Sequence, residues 1–580
     1  MRKGNPFRIM KLKMAERGDL ARHKIAEVFD RLSSKKSIRY TVYISAILIF
    51  LSLILLPPIL GIFIKWNAIQ AILNRPDLVN RALLAVENSF IIALLVSALD
   101  LATGIPMAWL IARGKSKWLN VLDTLSDIPF IVPTAVLGYS LLLFWSGPEG
   151  ISWLFGSSLI SPGWLLIILL HFAFSYPVVV RVVVGALLDY KKEYENASRT
   201  LGAPPFTTAR TVTFSIIKPS LIAAFILAFS RSMSETGATF IVAGTFENGP
   251  VFIQNIQNAL TSHTISQATY DGSIVLASFI LMAGALGIFI AMRALGPRLK
   301  LPIQRVWPTF ERKISYSKAA VSRDGVTLLI FFVIVLIPSL FVALPAFAAL
   351  PTSSFSDALS GKGVWGGYWQ GLITSYLLGA VVTGLNVIIG LPMAIVVARR
   401  KLGALPSAIL DVLVNIPLIV PSIALGVSLG IFWKTNFPLI PEFLLLIFAH
   451  MAITYPYFVR SMSAAVERIG IDLEEASRTL GAKPLGVFRT LIFPLTKYSI
   501  LSGAIIMFTR SISETGATQA VASTLKTAPI VLVNWVKHPE LFNTALDSSR
   551  ALGLGSGFLI LFSFIILLAL RLVVKGKGRY

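Results

Sequence analysis

Apolar runs of about 20 residues recur along nearly the whole chain, separated by short polar or basic stretches, and that pattern leaves few folds open. A bilayer interior offers the backbone no hydrogen-bond partners, so each run must satisfy its own groups as a helix or share them in a closed barrel. The two-residue alternation of a barrel strand is missing, which leaves helices. With 55% hydrophobic and 14% charged residues, the 580-residue chain reads as an all-α polytopic membrane protein.

The formal charge of +24 could point to nucleic acid, but Lys and Arg sit in short blocks between the apolar runs and at the two ends. Positive-inside topology explains that placement, so the expected partner is the lipid bilayer and no nucleic acid. The absence of cysteine excludes disulfides, thiolate metal sites and Cys nucleophiles. No GxxxxGK[ST] phosphate loop occurs, so the usual ATP site is missing. HExxH is missing too, and no catalytic residue or metal site is assigned.

About twelve transmembrane helices are predicted, in two sets of six. The first set falls near 40–64, 88–112, 119–145, 163–187, 219–244 and 273–295, and the second near 326–350, 375–398, 409–433, 443–466, 500–522 and 552–574. Pro57 and Pro58 should kink the first span. The blocks Arg113, Lys115, Lys117 and Arg399, Arg400, Lys401 mark the cytoplasmic side, and both termini are expected there. Residues 1–39 carry twelve Lys or Arg against four acids, read as a cytoplasmic arm rather than a cleaved signal. The expected division is this arm, a first half at 40–296, a cytoplasmic linker at 297–325 and a second half at 326–580.

The halves repeat each other's words in one order. GIPMA at Gly104 returns as GLPMA at Gly390, IPFIVPTAVLG at Ile128 as IPLIVPSIALG at Ile416, and HFAFSYPVVVR at His171 as HMAITYPYFVR at His450. SETGAT occurs at Ser234 and Ser513, and ASRTLGA at Ala197 and Ala476. Six spans per unit bring both units into the membrane from one side, so the repeats are parallel, related by a pseudo-twofold axis along the membrane normal. The polar islands at about 192–220 and 472–499 therefore share a face, expected to be cytoplasmic. In the second island a helix should run over 473–480, stop at Gly481 and resume at Pro484. A duplicated two-helix island suits docking to a soluble partner.

Glu475-Ala476-Ser477, then Gly481, then LIFP ending at Pro494, closely resembles the EAA loop of ABC importer permeases. That family's pattern is Glu-Ala-Ala, three residues, Gly, nine residues, then Ile-x-Leu-Pro, and its loops form the coupling helices that seat in ATPase subunits. The whole chain resembles two type I permease subunits fused, as in ferric iron and thiamine uptake systems. The first island, with Glu195, Asn196, Ala197, Ser198 and Gly202, departs from the pattern: Asn196 stands at the Glu position and Ser215 at the Pro. The resemblance implies a binding-protein-dependent importer in the cell membrane. Its partners would be two copies of a cytoplasmic ABC ATPase, which would hold the ATP and Mg, and an extracytoplasmic solute-binding protein. No cofactor is expected on this chain. SRSMSETGAT and TRSISETGAT also resemble the corresponding segment of sulfate, molybdate and tungstate permeases, leaving oxyanion, ferric iron and thiamine as substrate classes. The alternative from the residues alone is a secondary transporter with two parallel repeats, driven by an ion gradient.

Arg231 with Glu235 and Arg510 with Glu514 fall near mid-span, where a charge costs about 2.5–3.5 kcal/mol on insertion scales. Four residues apart, each pair shares a helix face. They read either as structural pairs or as groups lining the path between the halves. Thr236 and Thr239, with Thr515 and Thr518, are small and polar enough to pack around a narrow passage. His171 and His450, equivalent in the two halves, read as polar packing. Asp100, matched by Asn386, reads as an internal hydrogen bond.

Overall fold

The computed structural model describes residues 30–114, 116, 118–189, 191–295 and 308–575. Lys115, Lys117, most of the basic arm, residues 297–307 of the expected linker and the terminal Lys577 and Arg579 lie outside them. Ten helices among the described residues are long and apolar enough to cross a membrane, fewer than the twelve continuous spans expected.

The other two runs are broken, and their sequence says where. Both carry the word IPxIVP. The residue before a proline is driven out of helical geometry, and Val132 and Val420 accordingly adopt ψ of 125° and 129°. In the second half the break separates Ala404–Ile419 from Ser422–Asn436, which are bent by 104°. In the first half three pieces result: Trp118–Leu125, Ile128–Ile131 and Thr134–Ser146. Backbone groups freed at such breaks are tolerable only where protein encloses them, and Thr134–Leu141 and Ser422–Gly430 are buried throughout.

Trp164–Asp189 and Glu442–Glu467 form the centre of the bundle. In their most apolar 18-residue stretches 78% and 72% of residues are buried, against 28–44% in the other spans. The first span of each half packs on the opposite half. Lys36–Ile64 lies against Val364–Ala398, Ser422–Asn436 and Glu442–Glu467, and Ile62 N–H donates to Ser428 Oγ at 2.9 Å. Val342, within the matching span Lys318–Ala349, donates its N–H to Ser140 Oγ at 2.8 Å. Ser140 and Ser428 hold the same place in the two bent runs, so the exchange is reciprocal and fastens the halves together.

Two further stretches differ from expectation. The second span, expected from Asn88, begins at Pro76 and continues to Arg113. The stretch at 245–272, between the expected fifth and sixth spans, contains a helix, Gly249–Thr261, buried over Gly249–Gln254 and capped at its start by Asn248 Oδ1.

Candidate functional site

The two islands fold alike. Glu193–Thr200 and Ile471–Thr479 are short helices that stop at Gly202 and Gly481, with φ of 87° and 88°. Left-handed glycines here let Ala203 N–H reach Ser198 C=O and Ala482 N–H reach Ser477 C=O, closing the last turn. Second short helices follow at Pro205–Thr208 and Pro484–Val487, each running through a π-helical turn into a long span. Helix, stop and restart in the second island match the sequence expectation to within two residues.

The motif residues divide by burial. Asn196, Ala197, Glu475, Ala476, Gly202, Gly481 and Pro494 are exposed, and Ser198 and Ser477 are half-buried. Of the two carboxylates that fix the islands, the sequence reading includes Glu195 among the coupling-loop residues and passes over Glu474. Glu195 and Glu474, one position before the motif's first residue, are buried and paired with Arg113 and Arg399, each at 2.8 Å. Arg399 also donates to the Ile469 carbonyl at 2.8 Å. From sequence alone Arg113 and Arg399 read only as topological markers. The available signal was that carboxylate and arginine recur together in both copies. Nearby, burial and then the charge of Arg478 hold Lys401 below the usual lysine range.

At the tips Leu201 and Leu480 are 89% and 88% exposed, the apolar residue of each ASRTLGA word turned out of the protein. Burying a leucine is worth about 1.5–3 kcal/mol, and these two matched leucines leave that stabilisation unused within the chain.

The second site lies where the two halves meet. The predicted mid-span position of the Arg/Glu pairs is corrected: the long helices end at Met233 and Ile512, and the charges flank a break before the short helices Gly237–Val242 and Gly516–Val521. Arg231 pairs with Glu235 at 3.1 Å and Arg510 with Glu514 at 2.6 Å, all four buried or nearly so. The same glutamates cap the short helices, accepting from Ala238 N–H at 3.3 Å and Ala517 N–H at 3.0 Å.

Each break is bracketed by a histidine. His171 reaches Ser232 at 2.7 Å and Thr239 at 2.8 Å, and His450 reaches Ser511 at 2.8 Å and Thr518 at 2.9 Å. Both ring nitrogens therefore serve to join a long helix to its short continuation, as polar packing. No cluster of three possible metal ligands occurs among the described residues. Thr236 and Thr515 sit at the break itself, and Gly237 N–H donates to Thr515 Oγ1 across the halves at 2.9 Å. Ser422 Oγ and Thr134 Oγ1 add bonds to the Ser234 and Ser513 carbonyls at 2.8 and 3.2 Å. Structure thus brings Arg231, Glu235, Thr236, Arg510, Glu514 and Thr515 to one junction, with Thr239 and Thr518 behind it.

Asp100 and Asn386 do not meet. Asp100 accepts from Ser175, while Asn386 donates to Thr454 Oγ1 at 2.9 Å within its own half. Asp100 is wholly buried, and its second oxygen has no hydrogen-bond partner. An unsatisfied buried group costs about 1–3 kcal/mol, and asparagine already fills this place in the other half. Asp100→Asn is therefore expected to fold and to transport as the parent does, with thermal unfolding in detergent unchanged or at higher temperature. A clear fall in Tm would show that the carboxylate has a bonding role the geometry lacks.

Comparison with known proteins agrees with the two halves. The family described as "Binding-protein-dependent transport system inner membrane component" matches twice, over residues 104–301 and 386–576. The sulfate transport system permease protein CysT of Salmonella typhimurium strain LT2 is 29% identical over 261 residues, which are 43% of this chain and 90% of that protein. CysT of Escherichia coli K12 is 29% identical over 258 residues, with the same coverage of both chains. A probable sulfate transport system permease protein cysT of Nephroselmis olivacea is 31% identical over 192 residues, covering 33% of this chain and 66% of its own. The chain belongs to the binding-protein-dependent transport system inner membrane component family, as two permease halves of the ABC importer type joined in tandem.

Proposed function

We propose that this chain forms the membrane pathway of an ABC importer for an oxyanion of the sulfate class, with its islands facing the cytoplasm and seated on two ATPase subunits. The single observation that carries the docking role is the pair of matched, rigidly fixed islands with Leu201 and Leu480 exposed at their tips. Two equivalent surfaces call for two equivalent partners, hence two ATPase copies, on which ATP and Mg would reside. A solute-binding protein would deliver the anion to the opposite face.

ATP-driven closure of the ATPases would carry both islands together. Each island is tied to the end of its own half's second span by a buried ion pair, so the movement would pass directly into the bundle. The halves would then part at the junction of Arg231, Glu235, Arg510 and Glu514, opening it alternately to each side. The oxyanion class is favoured over ferric iron and thiamine by the named relatives and by two buried arginines at this junction.

Gly481→Asp tests docking. A residue with a Cβ is strained at φ 88°, by about 1 kcal/mol or more, and the added charge projects from the docking tip. The expected result is normal amounts of protein in the membrane, with ATP-dependent uptake of labelled sulfate and recovery of the ATPase in pull-downs both lost. Uptake and pull-down at parental levels would end the docking proposal.

A further inference from the structure

Arg231 and Arg510 come from opposite halves yet line one small cavity, together with Phe174, Tyr457, Thr134 and Thr509. Its volume of about 20 Å³ holds roughly one water and excludes any tetrahedral oxyanion, so this is a closed state. The Arg231 guanidinium lies over the Phe174 ring at 4.6 Å, and Arg510 Nε has no hydrogen-bond partner among the described residues.

We propose that these two arginines form a transient oxyanion site across the pseudo-twofold axis, and that Glu235 and Glu514 hold it shut when it is empty. The proposal rests on the oxyanion reading above and deepens it. In the closed state each guanidinium is neutralised by the carboxylate one turn on. When the halves separate, an entering dianion takes both guanidiniums, whose planar forks suit oxyanion geometry.

The glutamates are not stranded by the exchange. Glu235 and Glu514 each keep a backbone donor at the start of a short helix, Ala238 N–H and Ala517 N–H, where the helix dipole favours negative charge. Each carboxylate thus keeps a backbone donor when the site is filled. A cation or a neutral solute gains nothing from the arginines, so the exchange selects for anions.

The test is the KM for uptake of radiolabelled sulfate, and separately of molybdate, by cells expressing the chain with its ATPase and binding protein. Arg231→Gln and Arg510→Gln are expected to raise KM about tenfold or more, the loss of one charge-assisted bond. Arg510→Lys should fall between parent and Arg510→Gln. Glu514→Gln, which keeps the cap to Ala517 N–H but frees the arginine, is expected to lower KM. A purely structural pair predicts the same impairment from either side, so Arg and Glu variants failing alike would overturn the site while leaving the oxyanion importer intact. The double variant Arg510→Gln/Glu514→Gln buries no lone charge and guards against misfolding. It should reach the membrane yet show the raised KM, and parental KM in it would also overturn the site. A parent chain that moves neither anion would remove the oxyanion reading itself, and this site with it.

Discussion

Arg399→Glu is expected to abolish ATP-dependent uptake, and Arg399→Glu combined with Glu474→Arg to recover a measurable part of it. Arg399 and Glu474 are each about 6% exposed and 2.8 Å apart, so reversing one charge sets two carboxylates together where water cannot screen them. Breaking a buried pair by removing one partner typically costs about 3–5 kcal/mol, and reversal should cost no less. The loss falls on the fastening between the second island and the end of span Val364–Ala398, so coupling should fail before the bundle does. The expected signature is protein present in the membrane, ATPase still recovered with it, and sulfate uptake gone. The matching pair, Arg113 with Glu195, is more open at 14% and 10% exposure, and Arg113→Glu should be the milder lesion. Equal uptake in parent and Arg399→Glu would show that the pair does not transmit force.

Much of this arrangement was legible in the sequence. The repeat gave the two halves, the islands and their glycine stops, because Gly481 and Pro484 act locally and need no tertiary information. The broken spans were harder. IPFIVP and IPLIVP were recognised as proline-rich words inside apolar runs, but hydropathy records only that a stretch is apolar, and a bent run and a straight one score alike. The break after Met233 and Ile512 was missed for a related reason. SETGAT has no proline; Glu235 caps the short helix at Ala238 N–H, and His171 spans the gap by bonding Ser232 on one side and Thr239 on the other. Those bonds join residues far apart in sequence, so no local pattern announces them. Arg113 and Arg399 are hidden by sufficiency: topology already explains a cation at the end of a span, and nothing local pairs them with Glu195 and Glu474.

Gly237→Ala and Gly516→Ala are expected to weaken the joint between the halves, although alanine is the better helix former by about 1 kcal/mol. A Cβ at Gly237 would lie 2.4 Å from Thr515 Oγ1 and 2.7 Å from both carbons of that side chain beyond Cα. At Gly516 it would lie 2.5 Å from Thr236 Oγ1 and 2.7 Å from Ser422 Oγ. Neither threonine can retreat freely, since Thr515 accepts the Gly237 N–H and Thr236 is enclosed on all sides. Overpacking of this kind costs about 1–3 kcal/mol, which exceeds the gain in helix propensity. Gly185 and Gly287 supply the control, because a Cβ at either meets nothing within 4 Å and alanine there should be neutral or stabilising. In detergent, Gly237→Ala and Gly516→Ala should lower Tm while Gly185→Ala and Gly287→Ala do not. Adding Thr515→Gly to Gly237→Ala removes the obstructing side chain and should return part of the loss. The same contact bears on transport, because glycine against threonine is what lets the two SETGAT segments close on each other. Halves held apart there would leave Arg231 and Arg510 open to water, so Gly516→Ala should also raise the ATPase activity that proceeds without substrate. A variant with lowered Tm but tightly coupled ATPase would place the gate elsewhere than at this contact.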